Sequence, residues 1–211
     1  MLNVLIKDDD VLFVHGMKKY LTEIFASEYH QKISFLPKFN SESVTVADII
    51  IIQLCKGECY TCFSEFKFRS KSIIIGVLGG RTEPIPSLPH CINDIQFIAR
   101  DTSLEDIRHC IVTAWELHQS VGWELRKKSC GTCRHKILSP QQYRIMTRLY
   151  RGEPIPHIAA ELAISTKSIF SHKYYMMNKF NLTTDYELVT FLSKFVEKNK
   201  RNSEVGGFFN Y

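Results

Sequence analysis

Four short apolar runs place the strongest constraint on what this chain can fold into. They are Leu2–Ile6, Asp48–Leu54, Ser72–Leu78 and Ile95–Ala99, and the middle two are rich in β-branched residues. Such runs are too short for buried helices, and apolar side chains at nearly every position are typical of a parallel strand covered on both faces. Because helices must cover a parallel sheet, the front of the chain is predicted to be α/β.

Apolar residues at helical spacing alternate with these runs. They are Leu12, Gly16, Tyr20, Ile24 and Phe25 after the first run, and Leu104, Ile107, Ile111, Ala114 and Trp115 after the last. Strands that alternate with helices predict βαβ units, with helices on both sides of the sheet. The pattern assigns the stretch from Cys55 to Lys71 to no element.

The second half of the chain differs from the first in charge. Residues 1–118 hold 12 basic and 15 acidic side chains, whereas residues 119–211 hold 15 basic and 7 acidic, within a formal charge of +5. This asymmetry is typical of a nucleic-acid-binding module joined to another domain, and a basic surface kept for solubility accounts for it equally well. Residues 119–137 lack an apolar period and are predicted to be a basic linker, which contains Arg126, Lys127, Lys128, Arg134 and Lys136.

The N-terminus and the cysteines predict a cytoplasmic protein. The first residues lack a basic region and reach three acids by Asp10, unlike a secretory signal. The apolar runs fall far short of the roughly 18 residues that cross a bilayer, so we expect no membrane association. Seven cysteines, an odd number, favour free thiols in a reducing compartment.

Helical periodicity runs from Leu138 to Val196, and residues 138–198 are predicted to form a helical domain before a polar tail over 199–211. Its second helix, Ile155–Leu162, presents Ile158, Ala159 and Leu162 inward. A tight turn at Ala163–Ser165 follows, where Ser165 or Thr166 is suited to cap the next helix. This order predicts two packed helices joined by a short turn.

The helix after the turn has two distinct faces. Ile169, Met176, Phe180 and the stem of Lys173 share the face that packs on the preceding helix. Lys167, Ser171, Tyr174 and Asn178 follow an i, i+4, i+7, i+11 spacing and form a separate polar stripe. An apolar back with a polar front suits entry into the DNA major groove, and an ordinary solvated helix face has the same pattern.

Residues 138–182 carry a family resemblance. Leu138-Ser-Pro-Gln-Gln, Ile158-Ala-Ala-Glu-Leu-Ala-Ile-Ser165 and Lys167-Ser-Ile-Phe-Ser-His-Lys173 resemble the LuxR/FixJ (NarL)-type helix-turn-helix of bacterial transcription regulators. The resemblance implies a four-helix DNA-binding domain whose last helix, Thr184–Val196, often contributes to dimer contacts. The positions that match DNA contacts in the family are Lys167, Ser168, Phe170, Ser171, His172, Lys173, Tyr174 and Lys179. Gln142 departs from the family's usual Glu, and Phe170 and Tyr174 replace polar or basic residues.

The first 118 residues more weakly resemble the receiver domain of response regulators, a flavodoxin-like parallel sheet. Asp8 and Asp9 match the acidic pair that holds Mg²⁺, and Arg100 stands where the family has Lys. Gln53 occupies the position of the phospho-accepting Asp. A carboxamide is neither a nucleophile nor an anionic metal ligand, so the resemblance implies a degenerate receiver that forms no acyl phosphate there. We expect Arg100 or Lys7 to neutralise Asp8 and Asp9 without metal.

Degenerate receivers of this kind occur in auxiliary regulators similar to RcsA and BglJ. The resemblance therefore implies double-stranded DNA as partner, bound as a homodimer or as a heterodimer with an RcsB-like regulator. No cofactor, resident metal or small-molecule ligand is predicted. The chain shows no nucleophile–base pair and no Gly-rich phosphate loop, so no enzymatic activity is expected.

Two alternatives remain open at the level of sequence. The first is a response regulator that is phosphorylated at a displaced acceptor. The second is a metal or redox sensor that uses Cys130 and Cys133 together with Cys55, Cys59 and Cys62. Cys130-Gly-Thr-Cys133 with His135 has zinc-ligand spacing, but the second pair that a strong zinc motif contains is missing, which favours unliganded thiols.

Overall fold

The computed structural model describes residues 1–80, 88–120, 133 and 135–204. The chain divides into two compact units. The first comprises Met1–Leu54 and Cys62–Arg134, and the second comprises Cys55–Thr61 and His135–Tyr211. The sequence predicts a division near residue 118, and the assignment of Cys55–Thr61 to the second unit is not visible in the sequence pattern.

The first unit is built on a five-stranded parallel sheet. Its strands are β1 (Leu2–Lys7), β2 (Ile33–Leu36), β3 (Ile49–Leu54), β4 (Ile73–Leu78) and β5 (Gln96–Ala99), in the order β2-β1-β3-β4-β5. This is the doubly wound order of flavodoxin-like folds. The predicted parallel sheet is confirmed. β2, an edge strand of four residues that are all only half-buried, is not predicted by the sequence pattern.

Helices cover the sheet, as the alternating pattern predicts. They are α1 (Val11–Tyr29), α2 (Ser41–Val46) and α3 (Leu104–Ser120), with short 3₁₀ turns at Glu65–Phe68 and His90–Ile92. A further 3₁₀ turn, at Glu58–Tyr60, belongs to the second unit. On one face Phe25 packs edge-on against Trp115 at 5.5 Å between ring centroids. Leu12 and Leu104, predicted at helical core spacing, are instead 84% and 63% exposed, because each lies in the first turn of its helix.

The second unit contains the helices α4 (Pro140–Tyr150), α5 (Ile155–Glu161), α6 (Thr166–Lys179) and α7 (Asp185–Glu204). Ile145, Ile158 and Ile169 are fully buried, one from each of the first three helices, and Phe180 stacks on Phe191 at 4.6 Å. α7 continues into the predicted tail as far as Glu204. Within the described ranges, none of the helices has the length and apolar character needed to span a membrane.

Residues Cys55–Thr61 pack with these helices. Gly57 has a φ of +97°, which glycine adopts without strain. A Cβ at this position would lie 2.9 Å from Cδ2 of Phe191, so the packing also favours glycine here. Lys56 Nζ donates to Glu187 at 2.9 Å, and the Lys136 amide donates to the Tyr60 carbonyl at 2.8 Å. The segment is thus part of the helical unit's structure.

Candidate nucleic-acid interface

Left-handed residues end three successive helices of the second unit. Gly152, Ala163 and Asn181 have φ values of +74°, +52° and +55° and follow α4, α5 and α6. After α5 the Ile164 amide donates to the Ala159 carbonyl at 3.0 Å and the Ala163 amide to the Ala160 carbonyl at 3.3 Å, the pattern of a Schellman cap. The predicted turn at 163–165 is confirmed, and it sets the angle at which α6 leaves α5.

Side-chain caps begin α4 and α6. Ser165 Oγ accepts from the Ser168 amide at 3.0 Å, which starts α6 where the sequence predicts. Ser139 and Gln142 form a reciprocal capping box on α4: Ser139 Oγ accepts from the Gln142 amide, and Gln142 Oε1 accepts from the Ser139 amide. Gln therefore replaces the family's usual Glu without loss of the cap, because its carbonyl oxygen accepts the same hydrogen bond.

The inward face of α6 anchors it in the unit. Ile169, Met176 and Met177 are buried, and Phe180 follows them at the cap. Because 3.6 residues make one turn, these positions leave the opposite side of the helix facing solvent. The predicted apolar back is confirmed, with Met177 as an addition.

The outward face of α6 carries the predicted polar stripe and three aromatic rings. Lys167, Ser171, Tyr174 and Asn178 are exposed, as the spacing predicts. Phe170 is also exposed, and so is Tyr175, which the sequence analysis did not select. Its position, eight residues after Lys167, is the signal that places it beside the stripe.

Lys173 lies away from this outward face. Its Nζ donates to Asp185 at 2.7 Å, and its side chain is only 15% exposed. Lys179, Ser168 and His172 are half-buried at the flanks, with Ser168 Oγ 2.8 Å from Ser165 Oγ. The structure thus separates the expected contact residues into an exposed group and a half-buried group, in which Lys173 is paired with Asp185.

Of the five cations in the predicted basic linker, the structure describes Lys136 alone. Lys136 lies 3.6 Å from the centre of the Tyr60 ring, and burial lowers the pKa of its ammonium group. Arg126, Lys127, Lys128 and Arg134 lie outside the described residues.

The carboxyl ends of β1, β3 and β5 bring the expected receiver residues together in the first unit. Arg100 Nη2 donates to both carboxylate oxygens of Asp8, at 2.6 and 2.7 Å, and the Asp8 side chain is fully buried. Arg100 Nη1 reaches Asp10 at 3.4 Å, a partner that the sequence analysis did not assign. Gln53 Oε1 accepts from the Asp9 amide at 3.4 Å. The expected neutralisation of Asp8 by Arg100 is present, while Lys7 lies over the Phe39 ring.

These residues do not fit the Mg²⁺ that receiver domains use. Both oxygens of Asp8 are occupied by the guanidinium group of Arg100, which also stacks on Phe13 at 4.6 Å. Gln53 supplies a neutral amide oxygen in place of a carboxylate, so the anionic charge that attracts a hard divalent cation is reduced. The arrangement is an ion pair rather than a metal site.

Among the described residues, no group of three or more potential metal ligands includes a cysteine. Cys130 lies outside the described residues. Burial raises the pKa of the Cys55 thiol, and burial raises the pKa of Cys59 to about 11. Both thiols are therefore protonated and poorly nucleophilic at neutral pH.

Cys62 and Cys91 of the first unit have Sγ atoms 3.9 Å apart. A separate group of potential metal ligands lies in the second unit. Glu153, which precedes α5, and His157 and Glu161 on α5 place ligand atoms within 4.8 Å of one another, the only such group that the described residues contain. Arg148 makes ion pairs with both glutamates, so the carboxylates already have a cation.

Comparison with known proteins finds a family model that matches part of the chain and solved structures of similar fold. Residues 136–192 match the model of the luxR family of bacterial regulatory proteins. No curated protein sequence matches the chain. Among solved structures, RcsB from Salmonella enterica serovar Typhimurium bound to promoter P1flhDC has a TM-score of 0.53 and 21% identity, and an RcsB–DNA complex has a TM-score of 0.50 and 20% identity. Each alignment covers 91% of this chain and 98% of the other.

These likenesses agree with the two-unit fold. The helices α4 to α6 and the start of α7 form a luxR-family helix-turn-helix domain. At about one-fifth identity the solved structures support the fold of the whole chain, a receiver-like α/β unit with a helical C-terminal unit.

Proposed function

We propose that this chain, whose residues 136–192 are a luxR-family domain, is a sequence-specific transcription regulator that binds duplex DNA through α6. The observation that carries the proposal is the exposed face of α6, with Lys167 at its N-terminal end and Ser171 and Tyr174 along it. Side chains of these types hold phosphates and contact base edges when a helix enters the major groove. The complexes of RcsB with DNA lend support by fold.

Charge supplies most of the binding free energy in this proposal. Residues 119–211 contain 15 basic and 7 acidic side chains, and lysines that neutralise phosphates release condensed counterions. Affinity should therefore fall steeply as salt rises. Of the lysines on α6, Lys167 is the exposed one, whereas Lys173 is held by Asp185, so Lys167 is the stronger candidate for a phosphate contact.

We also propose that DNA binding is independent of phosphorylation. The acceptor position holds Gln53, and the Asp8 carboxylate is neutralised by Arg100 at 2.6 Å. The arginine provides from within the chain the positive charge that a metal ion brings to a receiver. The first unit then serves protein contacts rather than phosphoryl transfer.

Dimeric binding completes the proposal, as a homodimer or as a heterodimer with an RcsB-like regulator. α7 exposes Tyr186 and Val189, at 80% and 52%, three residues apart and hence on one side of the helix. A short exposed apolar strip of this kind suits helix-to-helix contact with a second regulator.

The test measures binding of the full chain to promoter fragments over a range of salt concentrations, alone and mixed with an RcsB-like regulator. Lys167→Ala should weaken binding to all sequences alike and reduce the slope of log K against log salt by about one. The matched control is Lys19→Ala, which replaces an exposed lysine on α1. It should change neither the affinity for DNA nor the slope of log K against log salt. Absence of retention at low salt under both conditions would refute the proposal.

A further inference from the structure

Three exposed aromatic rings on α6 are not required by the packing of the helix. Phe170, Tyr174 and Tyr175 are 42%, 58% and 57% exposed. The inward face already has its apolar contacts through Ile169 and Met176. Rings of this size facing water forgo the free energy that burial would supply, so they point to a surface that is covered in a complex.

The surroundings of these rings identify the partner as an anion with apolar groups on its surface. Lys167 is exposed one turn before Phe170 and Ser171. Lys179 Nζ lies 5.8 Å from the centre of the Tyr175 ring, whereas Lys173, whose Nζ lies 5.9 Å from the centre of the Tyr174 ring, is already paired with Asp185. In the major groove of DNA, the apolar group available between two rows of phosphates is the C5-methyl of thymine.

We infer that α6 selects its sites by thymine methyl groups, which Phe170 and Tyr174 contact in the major groove; this rests on the proposed function. Phe170 and Tyr174 are four positions apart, which corresponds to a rise of about 6 Å along the helix. That distance corresponds to about two base-pair steps of 3.4 Å, so the two thymines lie one or two steps apart in each half-site.

The rest of the exposed face agrees with selection of A·T pairs. Asn178 lies on the same side of α6, one turn beyond Tyr174, and an asparagine amide pairs with N6 and N7 of adenine. α6 contains no arginine, one of the two side chains that most often read guanine, and its exposed lysine, Lys167, is assigned to a phosphate. The face therefore combines side chains suited to both members of an A·T pair and has no arginine contact to guanine.

Replacement of thymine by uracil tests the inference, because it removes the methyl group and leaves base pairing intact. Binding sites are first obtained by selecting duplexes from a random pool with the full chain. Uracil at the critical positions should weaken binding about fourfold per methyl lost, the effect of burying one such group. The doubly substituted Phe170→Ala, Tyr174→Ala chain should bind thymine and uracil duplexes equally.

Two further variants separate this inference from the function on which it rests. Tyr174→Phe keeps the ring and should keep the preference for thymine. Lys167→Ala should weaken binding to the thymine and uracil duplexes alike and leave the ratio of the two affinities unchanged. Salt-dependent, selective binding with equal affinity for thymine and uracil would overturn the inference and leave the proposed function intact. Absence of DNA binding would overturn both the inference and the proposed function. If the wild-type chain self-associates and the double variant does not, the rings belong to a protein contact, and the inference is overturned.

Discussion

Ala163 occupies a backbone conformation that is costly for an L-amino acid. Its φ of +52° lies at the left-handed position of the Schellman cap after α5, where glycine is usual. The left-handed conformation costs a residue with a Cβ about 1–2 kcal/mol, and glycine avoids most of this cost. Ala163→Gly should therefore raise the free energy of unfolding of the helical unit by about 0.5–1 kcal/mol, measured by native-state hydrogen exchange of α6 amides.

A matched substitution nearby controls for glycine itself. Ala160 is exposed within α5, so Ala160→Gly should lower the same free energy by about 1 kcal/mol through helix propensity. Stabilisation by Ala163→Gly together with destabilisation by Ala160→Gly would show that the left-handed backbone at Ala163 is strained. Destabilisation by both substitutions would contradict it.

Individual residues also show which features of the site the sequence could predict. The stripe from Lys167 to Asn178 was predictable because helical periodicity alone decides which positions share a face. The pairing of Lys173 with Asp185 was not, since it depends on how α7 packs beside α6. Asp10 was missed for a related reason: local sequence places it next to Asp8, but only the fold brings Arg100 within 3.4 Å.

At the scale of elements, the segment Cys55–Thr61 is tied to α7 by a charged network. Glu187 accepts from Lys56 Nζ at 2.9 Å and from the Thr183 hydroxyl at 2.9 Å. Burial raises the pKa of Glu187, but the hydrogen bonds from the Thr183 amide and from Lys56 outweigh it and leave the pKa lowered. A lowered pKa in the folded state means that ionised Glu187 stabilises the fold above the ordinary glutamate pKa.

This network predicts a pH dependence. The contribution of Glu187 should be present above about pH 4.5, the ordinary glutamate value, and be lost as pH falls through the lowered folded-state pKa. Glu187→Gln should cost about 1 kcal/mol at pH 7 and flatten the acid dependence, since a neutral amide binds Lys56 less strongly. The measurement is hydrogen exchange of α7 amides between pH 3 and 7. Glu197→Gln, exposed on the same helix, should leave the profile unchanged, and an equal effect there would contradict the account.

Elements differed in how well the sequence predicted them. β3 and β4 were predictable because their isoleucine-rich runs are buried on both faces of the sheet. The half-buried edge strand β2 and the six-residue helix α2 carry too few apolar positions to show a period. The segment Cys55–Thr61 has no period at all, because its place is decided by tertiary contacts such as that of Gly57 with Phe191.

For the molecule as a whole, the proposed function predicts regulation without phosphoryl chemistry in the first unit. Incubation with acetyl phosphate and Mg²⁺ should leave the intact mass unchanged, because Gln53 is not a nucleophile and Arg100 occupies Asp8. DNA affinity should be the same before and after the treatment. A conventional receiver domain treated in parallel is the positive control. A stable gain of one phosphoryl group would instead establish a displaced acceptor.

The central claim is that α6 lies in the major groove of DNA, and interference by modified purines tests it most directly. Dimethyl sulfate modifies N7 of guanine and diethyl pyrocarbonate modifies N7 of adenine, atoms that lie in the major groove. Modified purines should block binding in two clusters whose centres lie about 10 base pairs, or a multiple of that, apart. Binding that is unaffected by N7 modification, or blocked only by methylation of adenine N3 in the minor groove, would contradict the claim.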